Sequence, residues 1–409
     1  MSTEKIQGDI DASGASKAIV VLDRNHVAAS PDATKTEVRI DAQGRVTRTL
    51  PEINRERVAA LHQHFVNKQM VHFPFLGIVH GTVDQAGLDR LADHDATHKM
   101  LHAAELGRID PVASNDVVAP ASELTWGLKR MQAAEIWQRG YTGQHIIVAH
   151  LDSGADLQHP ALKTAIEKWA EFDTNGNRVN TNAPYSDGDD HGTHTAGTLG
   201  GRKVDGSPII GMAPDVELID ARIVGHGDTI ARVLAGMNWS LEKGARVLNL
   251  SVGFPGWKAS FESIIKILRA NHLLPVVAIG NDGADHTRSP GNFPTVLSVG
   301  ATDEHDKVAN FSSSHKPGDP GIGPMVCAPG VKVLSAKPGG GYREQDGSSM
   351  ATPHVAGLAA LLFSARPDAT IDEVEQAIIG SCTRPADEDA QRIGAGIPGG
   401  IAALEAIIK

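Results

Sequence analysis

The stretch IIVAHLDSG, residues 146–154, decides the reading of the fold. Its Ile, Val, Ala and Leu run has the near-continuous apolar character of a strand buried on both faces. It ends by delivering a carboxylate, Asp152, ahead of Ser153 and Gly154. Apolar runs at 216–223, 247–251, 274–279 and 296–299 read as further strands. They alternate with helical patterns such as 230–241, which has Asp228 or Thr229 available as a cap; a last helix is expected at 371–379. Alternation of this kind is the sequence form of a three-layer α/β fold, a mainly parallel sheet with helices on both faces. Open sheets place their sites at the C-terminal edge of the strands, where Asp152 falls.

Upstream the pattern is different. Residues 1–14, rich in Asp, Gly and Ser, read as a mobile tail. Residues 15–110 read as a small α+β domain. It has strands at 17–22, 75–83 and 100–104, a helix carrying Val58, Leu61, Phe65 and Val66 on one stripe, and a second helix around Leu88, Leu91 and Ala92. Residues 111–122, with two prolines and no periodicity, read as a linker, and 123–409 as the larger domain.

With 409 residues and 41% hydrophobic composition the chain can bury a sizeable core, and its net charge of −11 argues against nucleic acid or an anionic membrane as partner. Cys327 and Cys382 are too few for a disulfide framework and lack metal-ligand spacing, so buried thiols are expected. The N-terminus lacks the apolar core of a secretory signal and no run reaches transmembrane length. The expectation is a cytoplasmic protein, with secretion left open for a chain whose leader has been trimmed.

Three more segments carry chemistry. GSSMATPHVAG, residues 347–357, puts Ser349 at the mouth of a helix, where unpaired N–H groups can hold a developing oxyanion. DGDDHGTHTAGTLG, residues 187–200, puts His191 at another helix start, and AIGNDG, residues 278–283, puts Asn281 just beyond a strand. A serine hydroxyl is a weak nucleophile near neutral pH, so an imidazole must take its proton, a carboxylate must orient that imidazole, and a donor must hold the oxyanion. Asp152, His191, Ser349 and Asn281 supply those types. Taken singly, each has an ordinary reading as a turn residue, a structural histidine or a cap. His191 and His194, three apart with no nearby glutamate, do not make a zinc motif, and His194 and His354 are read as structural. Asp189 and Asp190 are read as solvated loop charges, and 339–341 as a surface turn.

AHLDSGAD, DDHGTHTAGT, AIGNDG and GSSMATPHVAG, in that order, resemble the motifs of the subtilisin-like serine peptidases. WGLKRMQAAEIWQRGYTGQ, NLSVG, ANFSS and CAPGV extend the resemblance from Trp126 to the C-terminus. It implies an endopeptidase acting on peptide or protein substrates through the triad Asp152, His191 and Ser349, with Asn281 and the Ser349 N–H as oxyanion donors. Substrate would add as a strand beside Ser251, Val252 and Gly253, with a second edge near Gly225 and Gly227. Asp282 would stand at the foot of the first pocket and favour basic side chains. Residues 15–110 resemble the family's inhibitory prodomain, which makes the chain's own N-terminal domain an intramolecular inhibitor and the linker a maturation region. No cofactor is implied; Ala161 stands where the family's usual calcium-binding aspartate would be, so that site is expected to be absent, with calcium elsewhere left open. Ser348 replaces the usual threonine and keeps its hydroxyl. The same triad could serve a peptide ligase or cyclase, and the same fold a catalytically silent peptide binder.

Overall fold

The computed structural model describes residues 2–29, 36–50, 53–103, 107–117, 123–179, 190–225 and 229–409. Seven strands make one parallel sheet, in the spatial order Ile166–Glu171, Glu217–Arg222, Ile147–Asp152, Val247–Leu250, Leu274–Ala278, Leu297–Thr302 and Val326–Pro329. The α/β class expected from the sequence is the one observed. Along the third strand of this order, Ile147–Asp152, Val148 enters one core with Ala196, Leu199 and Ala356, while Ala149 and Leu151 enter the other with Leu234 and Ile264. Burial on both faces is why IIVAHL reads as nearly unbroken apolar sequence. The helices His191–Gly200 and Ser348–Ala365 therefore cover one face, and Thr229–Glu242 and Ala259–Ala270 the other. Ile166–Glu171, IEKWAE, was not among the expected strands; it is an edge strand with exposed Glu167 and Lys168, so it lacks an apolar run. Asp228, one of the expected helix caps, lies outside the described residues.

The N-terminal unit holds a four-stranded antiparallel sheet ordered Met70–Phe73, Ile78–Val83, Ser16–Leu22, Thr97–His102. Ala18, Val20 and Leu22 face the unit's own core with Val79, Leu88 and Leu91. Ile19, Ile78 and Leu101 belong instead to the core that holds Ile230, Phe254 and Phe261 of the larger unit. At about 1.5–3 kcal/mol for each such side chain, this face is a docking surface and not incidental contact. A polar anchor adds to it: Arg48, on the hairpin strand Val46–Thr49, donates to the carbonyls of Leu241, Ala245 and Asn271. Leu241 and Asn271 end the two helices beneath, so a cation meets the negative ends of both dipoles.

Three expectations for this unit and one for the linker are corrected. The segment expected to be a mobile tail over 1–14 is ordered in its described residues: Ser2–Ser13 is a helix whose Ile6 and Ile10, one turn apart, are buried in the N-terminal core. The helix expected through Val66 stops at Ala60 and continues as a 3-10 turn over Leu61–His64, with Val58, Leu61 and Phe65 buried as the stripe implied. The strand expected at 75–83 begins at Ile78, after a turn that Gly77 makes at φ +65°. Part of the linker is also ordered, since Ala113–Asp116 pairs antiparallel with Tyr342–Asp346; residues 118–122 lie outside the described set.

Candidate active site

Asp152 is the last residue of the interior strand Ile147–Asp152, His191 the first of its helix and Ser349 the second of the long helix Ser348–Ala365. All three are fully buried. His191 Nδ1 lies 2.6 Å from Asp152 Oδ1, which also accepts the Ser153 N–H at 2.7 Å. Gly192 permits this approach, because a Cβ there would lie 1.8 Å from the Gly154 carbonyl oxygen. Burial alone would raise the Asp152 carboxyl, but the His191 imidazole and the other donors outweigh it and hold it at about 2. The carboxylate is therefore ionised throughout the neutral range.

Behind it stands a network the sequence reading missed. His150 and Asp220, opposite each other on adjacent strands, approach to 2.5 Å through Nδ1 and Oδ1, and His150 Nε2 lies 2.8 Å from Thr195 Oγ1. The Thr195 hydroxyl lies 3.4 Å from Asp152 Oδ2. The signal was present: a histidine and an aspartate interrupt two otherwise apolar runs, and buried polar groups of this kind require partners.

The segment joining the two units runs through the cleft. Gly107–Arg108 pairs antiparallel with Val252 and Gly253, and the Ile109 N–H donates to the Ser251 carbonyl at 3.1 Å. The Ser349 hydroxyl donates to the Ile109 carbonyl oxygen at 3.0 Å. Asn281 Nδ2 donates at 2.8 Å not to that oxygen but to the next carbonyl, that of Asp110. Beyond it, Ala113–Asp116 adds to the Tyr342–Asp346 strand, and Asp116 accepts from Lys337 and Arg343. A continuous peptide thus occupies both sides of Ser349, with its carbonyls displaced by one residue from a pose in which a single oxygen meets both Asn281 and the serine.

Asn281 is aimed by Ser348, whose N–H and hydroxyl both donate to Asn281 Oδ1 at 2.8 Å, while its oxygen accepts the Gly280 N–H at 3.2 Å. With the oxygen so committed, the amide nitrogen faces the cleft. Ser251, Val252 and Gly253 lie along the chain's own segment 107–109. Gly225 is exposed and belongs to no strand paired with it among the described residues, and Gly227 lies outside them. The Asp282 carboxylate is paired with Arg288, which donates to both its oxygens at 2.6 and 2.8 Å. Asp190 is likewise not a free loop charge, since it pairs with Arg343. Ala161 is buried, its N–H donating to His159 Nδ1. Cys327 and Cys382 are free thiols; burial pushes the Cys327 thiol far up and that of Cys382 to about 12.

His194 and His354 flank the site as structural groups, bonded to the Val333 and Met350 carbonyls. Burial lowers them to about 3 and about 4. The folded state therefore binds fewer protons than the unfolded chain below pH 6.5, so stability must fall as pH drops through that point. At pH 4 each should have cost about 3 kcal/mol. Melting temperatures taken at pH 7.5, 5.5 and 4 should fall steadily; a melting temperature unchanged across that range would contradict these buried neutral assignments.

The sequence profile of the subtilase family matches residues 143–396. M-protease of Shouchella clausii is 35% identical over 254 residues, 62% of this chain and 63% of that protein. Subtilisin BL of Lederbergia lenta is 36% identical over 249 residues, 60% of this chain and 87% of that protein. Subtilisin E of Bacillus subtilis is 32% identical over 273 residues, 64% and 67% respectively. The match thus spans less than two thirds of the length of M-protease and leaves the N-terminal unit outside the family profile. Among the described residues no helix is long and apolar enough to cross a membrane. With a family match over more than half its residues, joined to a buried Asp152–His191 pair and a serine at a helix mouth, this chain belongs to the subtilase family.

Proposed function

We propose that the chain is a serine endopeptidase held latent by its own N-terminal unit. His191 takes the Ser349 proton, Asp152 fixes the imidazole and stabilises its charged form, and Ser349 attacks the peptide carbonyl to form an acyl-enzyme. Asn281 and the Ser349 N–H hold the oxyanion, and His191 returns the proton to the leaving amine. The observation that carries this reading is the peptide 107–116, which lies as an added strand across Ser349 and supports substrate binding by the same edge. The Asn281 contact at Asp110 instead of Ile109 leaves the resident carbonyl without its second donor, which favours slow self-cleavage and therefore inhibition. The N-terminal unit, docked through Ile19, Ile78, Leu101 and Arg48, keeps that peptide in place.

The test is a quenched peptide cleaved by the full chain, with products read by mass spectrometry. Two fragments, together heavier than the substrate by one water, are expected. Joined or cyclic products without added water would favour the ligase reading, and no products with an unreactive Ser349 the silent binder. Asn281→Ala should lower kcat about 10²–10³-fold with little change in KM, since the missing donor acts on charge that develops only in the transition state. That magnitude was measured on subtilisin, a member of this family. An equal rise in KM at constant kcat would contradict the role.

A further inference from the structure

Two buried histidine–aspartate pairs adjoin in this fold. One is His191 with Asp152; the other is His150 with Asp220, opposite each other on the neighbouring strands Ile147–Asp152 and Glu217–Arg222. All four side chains are fully buried. A buried ion pair is weak support for a fold, because desolvation offsets most of its attraction and an apolar pair would serve as well. The placement of the second pair is more informative. His150 Nε2 faces Asp152 Oδ2 at 3.8 Å, and the Thr195 hydroxyl stands 2.8 Å from that nitrogen and 3.4 Å from that oxygen. Thr195 lies one turn beyond His191 on the same helix and also reaches the His191 carbonyl oxygen at 3.0 Å. Burial would raise the Asp152 carboxyl; His191 first and then His150 hold it low.

Building on the endopeptidase reading, we propose that His150 is a positioning residue for the triad. A hydroxyl has one hydrogen, so Thr195 can donate to Asp152 only when His150 Nε2 donates to the Thr195 oxygen. Asp220, accepting at Nδ1, lets the ring present an N–H on that side as well. The threonine hydrogen is then turned toward Asp152 Oδ2, which leaves Oδ1 for His191 Nδ1. Held at both oxygens, the carboxylate keeps the imidazole aimed at Ser349. His150 acts through Asp152 and not on the substrate.

The test measures kcat/KM of the full chain on a quenched peptide. The contacts of the resident peptide with Ser251–Gly253, Asn281 and residues 342–346 are unchanged in every variant, so the covered fraction cancels from the ratios. Thr195→Val keeps the shape and loses the hydroxyl, and should cost about tenfold or more. Thr195→Ser keeps the hydroxyl and loses the methyl, and should recover most of that loss. His150→Leu combined with Asp220→Ala, which strands no buried charge, should match Thr195→Val, and joining all three changes should add less than about threefold. In an Asp152→Asn background Thr195→Val should cost less than about threefold, since the group it acts through is already lost. A purely structural threonine would give the opposite order, with Thr195→Val as active as Thr195→Ser or better. That order, or a loss that persists in full beside Asp152→Asn, would overturn the positioning role while leaving the endopeptidase reading intact. The threonine variants decide the matter even where the leucine–alanine pair does not fold. A wild type that cuts no peptide, with Ser349 unreactive to a fluorophosphonate, would overturn both.

Discussion

Ser349→Ala is expected to lower kcat on a peptide substrate by on the order of 10⁶, a magnitude known from subtilisin, while leaving substrate affinity nearly unchanged. The hydroxyl is the only group in the cleft that the proposed chemistry uses to form a covalent bond. The surrounding strand edges, which bind substrate, do not depend on it. Its other contact, to the Ile109 carbonyl, is a single neutral hydrogen bond that contributes about 0.5–1.5 kcal/mol, too little to disturb the fold. The variant should also keep residues 107–116 uncut indefinitely in pure form. Intact-mass measurement over days checks this, and loss of the N-terminal unit from a pure Ser349→Ala preparation would refute self-processing.

Asp152→Asn should cost at least about 10⁴-fold in kcat at neutral pH. The amide keeps the shape but can present its NH₂ to His191 Nδ1, which turns the imidazole into the tautomer that cannot accept the serine proton. In this chain the change also removes a buried charge beside Thr195 and His150, so the rate loss should exceed what reorientation alone produces. A pH profile separates the two effects: activity recovering at high pH would indicate a tautomer problem, whereas a melting temperature lowered at every pH would indicate a disrupted network. A variant that shows no rate loss and no thermal shift would contradict the assignment of Asp152.

Legibility followed locality. Asp152, His191, Asn281 and Ser349 could be read because each sits at an element's end, where short motifs of glycine, serine and threonine announce the turn. The central strands could be read because burial on both faces forces apolar runs. The helix Ser2–Ser13 was hidden because only Ile6 and Ile10 face the core, and two apolar residues in a polar dozen resemble a tail. GR and ASND have little strand preference of their own; residues 107–108 and 113–116 become strands because edges far along the chain need partners.

In the proposed mechanism Ser349 is an activated nucleophile covered by the chain's own residues 107–116. Labelling with a fluorophosphonate, before and after limited proteolysis of the 111–122 segment, tests it most directly, with the labelled residue and the N-terminus both mapped by mass spectrometry. Slow labelling of the intact chain and fast labelling of the opened one are expected, in both cases on Ser349. Absence of label on Ser349 in either form, or label on Ser348 instead, would contradict it.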